Sequence, residues 1–124
     1  MTNTLATRIA ALMGLLAVAL GAFGAHGLKE ILTRNATVGI WEKAVFYHFI
    51  HTVMLFVLAG RQPLARLPWF SFLIGIFIFS GSLYLLAVTN LKWLGAITPL
   101  GGISFMVGWA CLMVSAGRSE KPGP

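Results

Sequence analysis

The sequence predicts an all-α membrane protein: a bundle of four transmembrane helices with little mass outside the bilayer. Three observations predict it. The 124-residue chain is 58% hydrophobic and only 10% charged, whereas a soluble domain carries about 25% charged residues. Its mean hydropathy is +0.87, and a water-soluble domain of this size cannot hide so much apolar surface. Four apolar stretches free of Asp, Glu, Lys and Arg run along it, and a spanning helix needs about 20 such residues. The whole chain, 1–124, therefore reads as one transmembrane domain.

The first stretch, 9–25, follows Arg8. Arg8, an apolar core and small residues around Ala22 and Gly24 also fit a cleaved signal peptide. Against that, Ala17, Gly21 and Ala25 recur every four residues, with Gly14 a heptad before Gly21. Lipid supplies no hydrophobic force between helices, so small residues that let backbones approach mark a helix that stays and packs. The second stretch is 44–59, the third 69–89 and the fourth 94–115. In hydrocarbon, backbone groups must be bonded within their own segment, so all four are expected to be helices. The first two are short and extend a turn into their polar flanks. Gly75 lies on a small-residue stripe of the third helix. Gly101, Gly102 and Gly108 share a face of the fourth with Thr98, Phe105 and Trp109. Pro99 fits the first turn of that helix, where its missing N–H costs nothing, or a kink.

The only long connection is His26 to Lys43. Leu28, Ile31 and Leu32 share one face there, opposite Lys29, Glu30 and Arg34, which predicts a short interfacial helix between the first two spans. Asn35-Ala36-Thr37 matches a glycosylation acceptor, but nothing else implies a glycosylating compartment. Asn90 to Trp93 is a tight turn that makes the last two helices a hairpin. Trp41 with Trp93, and Trp69 with Trp109, are expected to form belts at the two membrane edges. The tail from Arg118 to Pro124 reads as disordered.

Four spans put both termini on one side, with Arg8, Arg61, Arg66, Arg118 and Lys121. Lys29, Arg34, Lys43 and Lys92 lie on the other. The arginines favour termini in the cytoplasm; the near balance leaves dual insertion open. The net charge of +6 comes without a dense basic stripe, so nucleic acid is not an expected partner. Membrane lipids, a second copy or a partner membrane protein are.

The few polar residues of the spans are the candidate site. His26, Tyr47, His48, His51, Tyr84 and Thr98 all fall in the half of the bilayer next to the long loop, with His51 about 10 Å below Ala44 at 1.5 Å per residue, and all but His48 form the expected cluster. Tyr47 and His51 share a helical face, and the group is expected to meet beneath the loop. Intramembrane ionisable residues are functional candidates by default. The structural alternative is polar glue, a neutral histidine bonded to a hydroxyl and a carbonyl. No metal or cofactor is expected. No carboxylate is near except Glu30 and Glu42 in the loop, and His26 and His51 differ in depth by about two turns, too far apart for a haem.

Gly21-Ala22-Phe23-Gly24-Ala25-His26, Tyr47 with His51, Ser80-Gly81-Ser82-Leu83-Tyr84, and Thr98-Pro99 with Gly101-Gly102, Phe105, Gly108 and Trp109 follow one another along the chain. In these blocks the sequence resembles the YgdD/YwdK-like family of small bacterial inner-membrane proteins, a domain of unknown function. The resemblance covers nearly the whole chain. It implies four helices in a bacterial inner membrane, and no activity. Small multidrug exporters share the length and helix count but need a carboxylate in the first helix, which is absent here. The basic and polar motifs of fluoride channels are also absent. The leading expectation is a non-enzymatic structural or accessory membrane protein that binds lipid or a partner. The alternative is a small oligomeric transporter or channel using the His/Tyr cluster.

Overall fold

The computed structural model describes residues 1–119. It is all-helical, with four helices long and apolar enough to cross a membrane. Helix α1 spans Asn3–Ala25, and Thr2 caps it by accepting the Leu5 N–H at 3.1 Å. The short α2 (Lys29–Arg34) precedes α3 (Val38–Ala59). The third span is α4 (Arg66–Gly75), a π-helical turn (Ile76–Ser80) and α5 (Gly81–Thr89). A 3₁₀ turn (Lys92–Ala96) leads into α6 (Thr98–Ser119). Of the tail expected to be disordered, Glu120 to Pro124 lie outside the described residues.

The four spans stand where hydropathy puts them, but their limits differ from expectation. α1 begins at Asn3, well before Ile9: Thr2 supplies the cap, and the Thr7 hydroxyl donates to Asn3 O inside the helix at 2.8 Å. α3 begins at Val38, because the long loop is mostly helix: α2 ends in a tight motif and α3 follows at once. Leu32 O accepts from Thr37 N–H, and Thr33 O accepts from Ala36 N–H, the Schellman pattern, with Ala36 at the left-handed position (φ 56°). α6 begins at Thr98, so Pro99 sits in its first turn, where no backbone bond is lost.

α2 lies where its apolar face is wanted. Leu32 is fully buried with Trp41 and Ala87, and Leu28 and Ile31 pack around them. The Asn35 amide donates to Ala87 O and Val88 O, and the Thr37 hydroxyl donates to Ala87 O at 2.7 Å. The Asn-Ala-Thr sequence thus closes the carbonyl end of the third span, which a helix cannot satisfy by itself.

Among the long elements, α1 packs on α3, α3 on the third span, and the third span on α6. Three glycines of the last two spans permit that last contact. A Cβ on Gly101 would overlap the backbone of Phe79 in the π turn, one on Gly75 the Phe105 ring, and one on Gly108 the Phe72 ring. The other glycines expected at helix seams are less constrained. Gly14, Gly21 and Gly102 each leave room for a methyl group, because larger side chains set the spacing around them. The close approach between α1 and α3 falls instead at Gly24, whose missing Cβ is replaced by the Trp41 indole.

The tryptophans depart most from the expected belts. Trp93 is exposed at a helix end, but Trp41 and Trp69 are buried. Trp41 Nε1–H donates to Leu20 O of α1 at 2.9 Å, and Trp69 Nε1–H donates to Leu55 O of α3 at 3.2 Å. In an interior without water, an indole donor inside the helix packing finds a carbonyl on a neighbouring helix.

Candidate functional site

α3 carries His48, His51 and Thr52 through the centre of the molecule, at i, i+3 and i+4, so all three turn inward. Because α3 starts earlier and α6 later than hydropathy suggests, His51 and Trp109 both fall near the middle of their helices.

His51 is 4% exposed. Its ring stacks on Phe105 with centroids 3.7 Å apart and planes 9° from parallel. Nδ1 lies 2.8 Å from the Tyr47 backbone oxygen, and Nε2 accepts the Trp109 indole N–H at 3.0 Å. A carbonyl only accepts and an indole only donates. The partners therefore specify one tautomer: a neutral ring with its proton on Nδ1, both nitrogens occupied.

His48, 3% exposed, faces the other way. Its Nδ1 is 2.8 Å from the Tyr84 hydroxyl, and the Tyr84 ring packs on Trp41 with centroids 4.7 Å apart. The Met13 backbone of α1 lies beside this ring, but off hydrogen-bond geometry. Among the described residues, His48 Nε2 and Thr52 Oγ1 are the buried side-chain polar atoms without a partner. Thr52 turns its methyl group toward Gly14 of α1.

The expected single cluster is therefore two. Tyr84 bonds His48 rather than His51, and His51 bonds Trp109. Tyr47 gives His51 its backbone oxygen, while its ring lies over Phe79 with centroids 4.6 Å apart. Thr98 pairs with Ser82, hydroxyl to hydroxyl at 2.6 Å, and ties the start of α6 to α5. His26 joins neither cluster: it ends α1, exposed, beside a shallow depression shared with Lys29, Glu30, Thr33 and Arg34. Its place at the end of α1, beyond the level where Gly24 meets Trp41, separates it from them. His48, read as a polar residue of the second span, and Trp109, read as a residue of a membrane-edge belt, both stand outside the expected cluster. The i, i+3 relation of His48 to His51 was the available signal for one, and nothing local signals the other. Ser80 and Ser104 continue the same kind of bonding, donating to Ala44 O at 2.8 Å and Ser71 O at 2.7 Å. No three His, Cys, Asp or Glu side chains among the described residues gather as metal ligands do.

A family model, described as a protein of unknown function (DUF423), matches residues 20–102, from the last turns of α1 to the first turns of α6. The chain belongs to the DUF423 family. The matched segment of this DUF423 chain contains His48, His51 and Tyr84; Trp109 lies beyond it. The UPF0382 membrane protein YwdK of Bacillus subtilis is 44% identical, covering 87% of this chain and 92% of its own length. A UPF0382 membrane protein of Staphylococcus epidermidis is 43% identical over 86% of this chain. The UPF0382 inner membrane protein YgdD of Escherichia coli is 37% identical and covers 99% of this chain and 97% of its own length. No solved structure matches. The DUF423 chain is thus a multi-pass membrane protein, of the inner-membrane kind that the Escherichia coli relative's name records.

Proposed function

We propose that this chain is a non-enzymatic structural or accessory protein of the inner membrane, one that holds lipid or a partner membrane protein rather than turning over a substrate. One observation carries the reading. The histidine at the centre of the molecule, His51, is walled in by Phe105, Phe72 and Trp109, and both of its nitrogens are occupied. A catalytic or transporting histidine needs an open face or a free nitrogen; this one is bonded as helix glue. α1 and α6 carry the smallest shares of buried residues among the spans, which supports lipid, a second copy or a partner as what covers them. The arginine distribution supports cytoplasmic termini.

A second reading, a small oligomeric transporter or channel, is favoured by one feature. His48 Nε2 and Thr52 Oγ1 are buried and unbonded, and α3 also packs on the π turn, an irregularity frequent at functional sites. Proton and monovalent-cation flux in liposomes separates the two. The accessory reading expects vesicles with the protein to match empty vesicles. A flux that His48→Ala abolishes, with thermal stability retained, would overturn it.

A further inference from the structure

Where α1, α2 and α3 meet at the long-loop end, the surface is hollowed into a groove of about 630 Å³, within the range of small-molecule sites. Three devices keep it open. α1 ends in glycine and alanine, so its wall carries little side chain. Trp41 is drawn against α1 by its bond to Leu20 O and occupies the space a Cβ on Gly24 would need. α2 is held over the groove by its buried Leu32.

The groove is amphipathic along its depth. Gly21, Val45 and Phe46 line its membrane end, and Lys29, Thr33 and Glu42 line it at the loop end. Lys29 comes from α2 and Glu42 from α3, and both are exposed. The ion pair among the described residues is Arg34 with Glu30, at 3.5 Å, so the groove's cation and its anion are both unengaged. A purely anionic headgroup leaves Glu42 opposed, and an apolar partner leaves both charges without a counterpart. A headgroup with one phosphate and one primary ammonium answers both.

We propose that this groove binds a phospholipid of the phosphatidylethanolamine type. An acyl chain lies along Gly21, Val45 and Phe46, the Lys29 ammonium donates to the phosphate, and the headgroup ammonium donates to the Glu42 carboxylate. The proposal rests on the accessory reading and names the lipid.

The test uses the full chain, purified in detergent, stripped of lipid and titrated with phosphatidylethanolamine or phosphatidylglycerol under native mass spectrometry. Phosphatidylethanolamine is expected to bind more tightly by about threefold, the scale of one exposed ion pair. Glu42→Gln should remove that preference, and Lys29→Gln should weaken both lipids alike. Both changes are near-isosteric and at exposed positions, so folding is not at issue. Ala25→Trp, which fills the groove, should reduce bound lipid of either kind. Equal binding of the two lipids, a preference that survives Glu42→Gln, or lipid unchanged by Ala25→Trp would each overturn the proposal. So would a dimer that Ala25→Trp abolishes, which would make a second copy the occupant. A headgroup result bears on the groove alone, and a flux bears on the accessory reading alone.

Discussion

At the scale of single residues, the chemistry is decided by what each polar atom meets. His51 and Trp109 lie on different helices, 58 positions apart, and meet ring to ring. In hydrocarbon the bond is made without competing water. His51→Ala removes both ring bonds and the Phe105 stack, and is expected to cost about 1–3 kcal/mol from membrane hydrogen bonds plus aromatic contact. Trp109→Phe keeps the ring and loses the donor, for about 0.6–2 kcal/mol. Because the two changes break the same bond, a double-mutant cycle in bicelles should return a coupling of about 0.6–2 kcal/mol. Additivity within about 0.3 kcal/mol would show that the bond contributes nothing. His48 differs: one nitrogen is bonded to Tyr84, and Nε2 is buried outside hydrogen-bond geometry, with the Met13 backbone beside the ring. Residue types were legible in the sequence, and so was the inward face of His51; depth was not, because the limits of α3 and α6 differ from those that hydropathy suggests. The partner choices were not, because Tyr84, Trp109 and His48 are assigned to one another only by how three helices rotate about their axes.

At the scale of elements, two local conformations make clear demands. At Ala36 the chain takes a left-handed turn to end α2, a conformation that costs a residue with a Cβ about 1–2 kcal/mol. Ala36→Gly relieves that cost but loosens the unfolded chain. A net gain of up to about 1 kcal/mol in thermal or denaturant unfolding is expected; a loss would mean that the turn is not left-handed. In the third span, the π turn brings the Phe79 backbone against Gly101. Gly101→Ala should therefore cost about 1–3 kcal/mol by overpacking. Gly81→Ala, one residue past the π turn and with open space around its Cβ, should be neutral or stabilising by up to about 1 kcal/mol. Equal effects of the two changes in the same unfolding assay would overturn the close approach. The small-residue code was legible in part. Gly75, Gly101 and Gly108 stand at close contacts, while Gly14, Gly21 and Gly102 have room to spare. Spacing identifies the face a glycine lies on; whether that face is pressed depends on the side chain opposite, which spacing does not show.

At the scale of the whole molecule, the chain sits between two aqueous sides with nearly balanced basic charge. The arginines at Arg8, Arg61, Arg66 and Arg118 lie with the termini, and the positive-inside tendency is expected to hold that side in the cytoplasm. A reporter fused after Pro124 should be active in its cytoplasmic form. Strong periplasmic activity at the same site would reverse the topology, and activity of both forms would mean dual insertion. By itself the sequence determined that this protein crosses a membrane four times as helices, with an amphipathic helix between the first two. Hydrocarbon leaves a backbone only helices or closed barrels, and continuous apolar runs of this length select helices. Only the tertiary structure decided which histidine pairs with which aromatic, that three of the four indoles reach carbonyl or imidazole acceptors on neighbouring helices, and that Lys29 and Glu42 share one groove. Those outcomes depend on helix limits shifted by several residues and on the rotation of each helix against its neighbours. Both are settled by caps, close glycine contacts and side-chain bonds between segments far apart in the chain.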